Sequence, residues 1–171
     1  MLCLSLVPFV HYFIMTYYFS LGANLGNREQ TIQQALALME QQIGHIERCS
    51  SYYYSEPWGF ESENDFCNLC CCLLTDMQPT EVLLATQAIE RALGRTKKSV
   101  VSRQKSAISH QPSAIYSDRS IDIDIIRAFN NIGEEIIINY QLSTINYLTL
   151  PHPLWQQRDF VRIPLAEILP E

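Results

Sequence analysis

The chain lacks an excess of positive charge, since its 171 residues carry 12 Lys and Arg against 18 Asp and Glu, a net charge of −6. A broad electrostatic grip on nucleic acid or on an acidic membrane needs a basic face, so this balance argues against both partners. It leaves room for a small anionic ligand, which needs only a local cluster of basic side chains. The composition is not that of a disordered chain, which is low in hydrophobic residues: here 47% of the residues are hydrophobic and 18% are charged. The length and composition predict one globular domain.

The chain also has little that would take it across a membrane. Its first 15 residues are apolar, but they fall short of the roughly 20 residues that a membrane span needs. No Lys or Arg precedes the apolar stretch, as a secretory signal would require. Met15 is followed at once by a strand-like run. We therefore expect residues 1–14 to be an upstream extension and residues 15–171 to form a single, cytoplasmic and monomeric domain.

A complete zinc motif is missing as well, although the chain has six cysteines. Cys67 and Cys70 have CxxC spacing, but no second pair and no nearby His completes a tetrahedral site. Four of the six cysteines lie in the run 67–72, which favours small apolar residues of a buried strand. Free thiols in this number fit a reducing cytosol.

The hydrophobic pattern predicts alternating strands and helices. A strand at 16–21 is followed by a helix of roughly 15 residues after Asn27, and strands follow at 46–54 and 66–75. A second helix begins at Pro79 and closes at Gly94, and a fourth strand covers 120–126. The polar stretch 95–118 predicts a long loop, either a functional lid or an insertion. This order predicts an α+β, ferredoxin-like β-α-β-β-α-β antiparallel sheet with helices on one face, plus a C-terminal hairpin and short helices near Leu165.

The sharpest chemical signal is the sequence Asp122-Ile-Asp124 in the fourth strand. Residues two apart on a strand project from the same face, so both carboxylates point one way. The flanking Ile121, Ile123 and Ile125 point into the core and fix that register. Two carboxylates this close repel unless a cation neutralises them, and such pairs hold Mg²⁺ in many phosphoryl-transfer enzymes. By itself the motif is weak, because most copies are the exposed face of a half-buried strand.

Five segments in a fixed order make the pattern specific. They are residues 20–28 (SLGANLGNR), 56–59 (EPWG) with 65–68 (DFCN), 89–95 (IERALGR), 119–124 (RSIDID), and 150–153 (LPHP) with 158–160 (RDF). Together they resemble the 6-hydroxymethyl-7,8-dihydropterin pyrophosphokinase family over about residues 16–170. The resemblance implies transfer of the β,γ-diphosphate of ATP to the pterin hydroxymethyl group, with release of AMP, in folate biosynthesis.

The resemblance also implies roles for individual residues. Asp122 and Asp124 would hold two Mg²⁺ ions between the phosphates and the pterin hydroxyl, and the catalytic set would be this pair with Arg95 and Arg119. The residues implied for ATP binding are Glu90, Arg95, Lys97, Arg119, His152 and Arg158. Glu90 is expected to support a basic residue rather than to meet the phosphates. The residues implied for pterin binding are Trp58, Phe66, Asn68, Tyr116 and Phe160, with Gly22 and Asn24 shaping the neighbouring turn.

The chain departs from the family pattern at two places, and its loop between Arg95 and Arg119 is longer than the resemblance leads us to expect. Tyr116, Ser117 and Asp118 stand where the family has Trp-Gly-Pro, and Asp118 places an additional negative charge near the incoming phosphates. Lys97 replaces a more usual arginine and loses its bidentate fork. These departures bear on loop closure and ATP affinity more than on the type of reaction.

Two other functions fit the same order of elements. Single-stranded RNA binders share it and stack bases on strand aromatics, but the acidic balance and the cysteines on the third strand weigh against that reading. A regulatory protein that kept a pterin or nucleotide pocket without catalysis is the other possibility. The intact set of Asp122, Asp124, Arg95 and Arg119 argues for an active enzyme.

Overall fold

The computed structural model describes residues 13–95, 101–102, 113–114, 116–141 and 147–170. These residues form nine strands, three α-helices and one 3₁₀ turn. In chain order they are β1 (Met15–Ala23), α1 (Arg28–Gln42), β2 (His45–Cys49), β3 (Tyr53–Ser55), β4 (Phe66–Thr75), α2 (Pro79–Ala92), β5 (Val101–Ser102), β6 (Ser113–Ala114), β7 (Asp122–Phe129), β8 (Ile138–Gln141), β9 (Tyr147–Leu150), the 3₁₀ turn Trp155–Gln157 and α3 (Asp159–Ile168). No helix within this described part is long and apolar enough to cross a membrane.

One antiparallel sheet organises the fold in the strand order β2-β4-β1-β7, with β3 also paired to β4. β1 is central, and its register sets Gly22 opposite Asn68 on one side and opposite Asp122 on the other. β5 pairs with β6, and β8 pairs with β9 as a separate hairpin. The ferredoxin-like α+β prediction is confirmed, and the β8–β9 pair supplies the expected C-terminal hairpin.

The two faces of the sheet are covered by different helices. On one face, α1 and α2 bury a core that includes Tyr17, Phe19, Leu21 and Ile123. On the opposite face, α3 packs a smaller cluster over Tyr18, Cys70, Cys72 and Ile126, through Val161, Leu165 and Ile168. Since side chains alternate along a strand, Asp122 and Asp124 lie on the same face as Ile126, the α3 face. The two long helices thus lie on one face as predicted, and the third helix shields the other.

Local boundaries follow the sequence closely, with one exception. α1 begins after Asn27, whose side chain accepts a hydrogen bond from Gln30 N (3.1 Å), and Gly94 ends α2 at φ +91°. The exception is the strand predicted over 46–54, which is two strands, β2 and β3. Between them the Ser50 hydroxyl accepts the N–H of Cys70 (2.9 Å), so a side chain replaces the backbone partner and interrupts the ladder.

The cysteine run forms the middle of β4 as the sequence predicts. Cys67, Cys70, Cys71 and Cys72 are fully buried. Among the described residues the cysteines are free thiols, and no group of three or more His, Cys, Asp or Glu side chains is placed to hold a metal ion by itself.

Candidate active site

The acidic pair Asp122 and Asp124 lies at the start of β7, the strand at one edge of the sheet. Asp122 lies opposite Gly22 and Asp124 lies opposite Ser20, so both carboxylates stand on one face beside the end of β1. Ile121, Ile123 and Ile125 are buried on the other face and fix this register. The pair is therefore held by core packing rather than by a mobile loop.

The first acid is held by Arg95, which follows α2. Gly94 turns the chain, and the Arg95 guanidinium contacts both Asp122 and Glu90. Glu90 is 4% exposed, and its carboxylate also accepts the backbone N–H of Ile123 at 2.8 Å. One buried carboxylate thus joins α2, Arg95 and the strand that carries the acidic pair.

A second arginine, Arg119, approaches the same acid from the other side. Its Nε lies 3.4 Å from Oδ2 of Asp122, and its guanidinium lies 5.2 Å from the centre of the Phe66 ring. Its backbone is fixed by Asn24, whose Oδ1 accepts the Arg119 N–H at 2.8 Å. The contact couples the turn after β1 to the position of this arginine.

The second acid, Asp124, faces Arg158 and His152. Nη1 of Arg158 lies 3.9 Å from Oδ2 of Asp124. Burial, and then the charge of Arg158, lower the pKa of His152 despite the opposing effect of Asp124. The His152 Nδ1 accepts the N–H of Leu154 at 3.3 Å, so the neutral ring carries its proton on Nε2 and can donate from there.

The carboxylates of this cluster differ in acidity for physical reasons. Burial would raise the pKa of Asp122, but the charges of Arg119 and Arg95 outweigh it and lower that pKa. Burial and then the nearby Asp122 raise the pKa of Asp124. Burial and Asp122 also raise the pKa of Glu90 to about 7. Asp124 is therefore the acid of the pair whose ionised form an added cation would stabilise most.

Three aromatic rings surround the Arg158 guanidinium. The guanidinium lies 4.7 Å from the ring centre of Trp58, 5.8 Å from that of Phe160 and 5.9 Å from that of Tyr116. The Tyr116 hydroxyl also accepts a hydrogen bond from Nη2 of Arg158 at 3.0 Å. Trp58 meets the other two rings edge-on, at 5.9 Å for Tyr116 and 6.4 Å for Phe160. These rings give the site an aromatic side next to its charged side.

A cleft of about 330 Å³ opens beside these rings, lined by Tyr53, residues 55–58, Gln157, Asp159 and Phe160. Asn68 lies behind it on β4 at 2% exposure. Its amide donates to Tyr53 O and to Ser55 Oγ, both at 3.1 Å, which fixes the orientation of the side chain. A flat heterocycle can be enclosed by rings and read at its edge in such a place.

The structure thus brings most of the predicted site residues into two adjoining groups. The charged group contains Glu90, Arg95, Arg119, Asp122, Asp124, His152 and Arg158. The aromatic and amide group contains Trp58, Phe66, Asn68, Tyr116 and Phe160. Lys97 lies outside the described residues.

Two contacts of the site had no signal in the sequence. Ser55 orients Asn68, and Asn64 donates to the carboxylate of Asp118 at 3.1 Å. Asn64 and Asp118 are 54 residues apart, so no local spacing could pair them. The Asp118 charge, expected to face the phosphates, is engaged by amide donors of Asn64 and Asn24.

Acids clustered with arginines are typical of enzymes that transfer phosphate-containing groups, whereas the ferredoxin-like fold hosts many functions. The family model described as 7,8-dihydro-6-hydroxymethylpterin-pyrophosphokinase (HPPK) matches residues 18–170. The chain therefore belongs to the HPPK family, as the sequence motifs indicate.

Individual relatives carry the same name. The 2-amino-4-hydroxy-6-hydroxymethyldihydropteridine pyrophosphokinase of Porphyromonas gingivalis (strain ATCC 33277) is 39% identical over 153 residues, which cover 90% of each chain. The enzyme of that name from Bacillus subtilis is 32% identical over 88% of this chain and 76% of its own.

Solved structures agree on the fold. An HPPK-DHPS from Plasmodium falciparum with pteroate superposes with a TM-score of 0.62 at 16% identity, covering 92% of this chain. Another HPPK-DHPS in complex with substrates gives a TM-score of 0.59, also at 16% identity, covering 91% of this chain. This chain spans about two fifths of each of those longer chains, 39% and 40%. At this identity the likeness supports the fold alone.

Proposed function

We propose that this chain transfers the β,γ-diphosphate of ATP to the hydroxymethyl group of 6-hydroxymethyl-7,8-dihydropterin, releasing AMP, and does so at the Asp122–Asp124 pair. Pyrophosphokinase activity on hydroxymethyldihydropterin, with ATP as co-substrate, follows from membership of the HPPK family. The observation that supports the location is the convergence of Arg95, Arg119 and Arg158 on two acids next to an aromatic cleft.

The donor set of the pair fits magnesium. Mg²⁺ takes one or two carboxylates and completes its octahedron with water and substrate phosphate oxygens. Asp122 and Asp124 provide two carboxylates on one strand face, and the described residues place no third protein ligand that would exclude phosphate. The residues present therefore suit two Mg²⁺ ions shared with ATP, which would neutralise phosphate charge and make the pterin hydroxyl more acidic.

The charge of the described cluster supports the same proposal. The positive charges of Arg95, Arg119 and Arg158 lie against the three carboxylates that they contact, those of Glu90, Asp122 and Asp124. Since these carboxylates offset much of the arginine charge, added divalent cations would complete the binding of ATP.

The chain's own groups bind and orient the two substrates. The buried Nε–H groups of Arg95 and Arg158 have no hydrogen-bond partner among the described residues, which suits donation to phosphate oxygens. Nε2–H of His152 can donate to the same polyphosphate. Diphosphate transfer depends on in-line placement of the reacting groups and on stabilisation of their charge. We therefore expect these contacts to supply most of the protein's contribution to catalysis.

The pterin is proposed to bind in the aromatic part of the site. Phe160 and Phe66 offer ring faces, Asn68 offers an amide whose orientation is fixed, and Trp58 with Tyr116 covers the opening. Lys97 is proposed as an additional phosphate contact. We further propose a cytoplasmic location, because buried free thiols suit a reducing compartment. Action as a monomer and without nucleic acid stays a prediction.

The test is a product analysis. Purified protein is incubated with ATP carrying a labelled γ-phosphate, MgCl₂ and the reduced hydroxymethylpterin, and the nucleotides and pterins are separated. AMP as the nucleotide product, with label in the pterin, supports the proposal. ADP would indicate transfer of a single phosphate and would overturn it. Omission of Mg²⁺ should abolish product. Asp76→Ala removes an exposed acid from outside the site and should leave product formation unchanged.

A further inference from the structure

One carboxylate connects three separate segments beside the site. Oδ1 of Asp118 accepts the side-chain amide of Asn24 at 2.7 Å, and Oδ2 accepts the amide of Asn64 at 3.1 Å. Asn24 follows β1, Asn64 belongs to the segment between β3 and β4, and Asp118 precedes β7. We call these three residues the Asp118 latch.

The latch acts directly on the backbone of Arg119. Asn24 is 3% exposed, its Oδ1 accepts the Arg119 N–H at 2.8 Å, and its own N–H donates to Arg119 O at 3.2 Å. The Asn24 amide that holds Asp118 also reaches Asn64 O at 3.3 Å. The N–H of Arg119 therefore depends on the side chain that Asp118 holds in place, and the C=O of Arg119 depends on the backbone of the same asparagine.

A second contact joins the same two segments. Trp58 lies in the segment that carries Asn64, and its ring packs edge-on against Tyr116 at 5.9 Å, two residues before Asp118. The Trp58–Tyr116 ring contact and the Asp118 latch are thus two separate contacts between residues 56–65 and residues 116–119. Movement of one segment must either carry the other with it or break both contacts.

We propose that Asp118 is a positioning residue, whose carboxylate ties the segment bearing Trp58 to Arg119 so that aromatic enclosure of the pterin and placement of Arg119 on Asp122 occur together. The proposal rests on the proposed function, because it takes pterin and ATP as the substrates on the two sides. It assigns to Asp118 no contact with either substrate.

The experiment compares Asp118→Ala, Asn64→Ala and their double variant with Glu63→Ala, which removes an exposed acid from the same segment. Steady-state turnover with ATP and hydroxymethyldihydropterin should show kcat lowered about tenfold in Asp118→Ala, with KM for ATP nearly unchanged, because positioning acts on the chemical step. The double variant should be no slower than Asp118→Ala, since Asp118→Ala already breaks the contact that Asn64→Ala removes, together with the contact to Asn24. Asp118→Asn keeps one of the two acceptor oxygens and should recover part of kcat.

Hydrogen exchange of the ligand-free protein gives a readout that does not depend on activity. Amide exchange across residues 116–121 and 60–65 should accelerate in Asp118→Ala and in Asn64→Ala, but not in Glu63→Ala. Unchanged exchange, or additive losses of kcat in the double variant, would overturn the latch. A wild type that forms no AMP would overturn the proposed function instead, and the exchange data would still decide the latch.

Discussion

The carboxylate of Glu90 accepts the backbone N–H of Ile123 at 2.8 Å, and Ile123 is the residue between the two acids of β7. The same carboxylate contacts Arg95. A group on α2 therefore fixes both the strand that presents the acidic pair and the arginine that contacts its first member.

Glu90→Ala should destabilise the fold by about 2–3 kcal/mol, because it leaves the buried N–H of Ile123 without an acceptor and removes one of the two carboxylates that Arg95 contacts. Glu90→Gln keeps an oxygen for the Ile123 N–H and should cost less. Urea unfolding measures both variants. Equal free energies of unfolding for wild type and Glu90→Ala would contradict this role.

Asp124→Ala should lower turnover by at least about 100-fold while leaving the free energy of unfolding nearly unchanged. Burial and Asp122 raise the pKa of Asp124, so removal of this carboxyl relieves repulsion in the strand. Product formation and urea unfolding are measured on the same preparation, with Asp76→Ala as the exposed control. Turnover like that of the wild type would remove Asp124 from the proposed metal site.

Arg119→Ala should slow the chemical step more than it weakens pterin binding, because Arg119 contacts Asp122, where we propose that the polyphosphate binds. Single-turnover rates and pterin titrations separate the two effects. Arg119→Lys keeps the charge without the planar fork and should recover only part of the rate. Equal losses in rate and in pterin affinity would contradict the assignment.

Gly22→Ala should weaken pterin binding about tenfold with ATP affinity unchanged. A Cβ at Gly22 would lie 3.0 Å from Oδ1 of Asn68 and 3.6 Å from the Phe66 ring, and it meets no atom of the acidic pair within 4 Å. The added methyl group therefore presses only on Asn68 and Phe66, which we propose to bind the pterin. Calorimetric titration with each substrate measures the difference, and a parallel loss of ATP affinity would refute it.

Cys70→Ala should make the protein less sensitive to alkali. Burial raises the pKa of the Cys70 thiol from 9.0 to about 12, so between these values the unfolded state releases a proton that the folded state retains. The contribution of this thiol to the free energy of unfolding is therefore constant below about pH 9 and falls as pH rises toward 12. The variant should reduce that slope by about 1.4 kcal/mol per pH unit. Unfolding curves from pH 8 to 11 measure it, and identical slopes would refute the prediction.

The elements near the site show which structural features can be predicted from local sequence. Alternating isoleucines around Asp122 and Asp124 determine a strand with both acids on one face, and Asn27 and Gly94 mark helix ends by their own local chemistry. The break between β2 and β3 could not be read this way, because it depends on a hydrogen bond from Cys70 to Ser50 across the sheet.

The sequence by itself determined the ferredoxin-like order of elements, the same-facing acids and the family, since each depends on spacing along the chain. Only the tertiary structure decided which charges meet. It placed Glu90 under Arg95, gathered three rings around Arg158 and closed Asp118 between two asparagines. These contacts join residues from different elements, and their partners are selected by sheet register and helix packing, which no short stretch of sequence encodes.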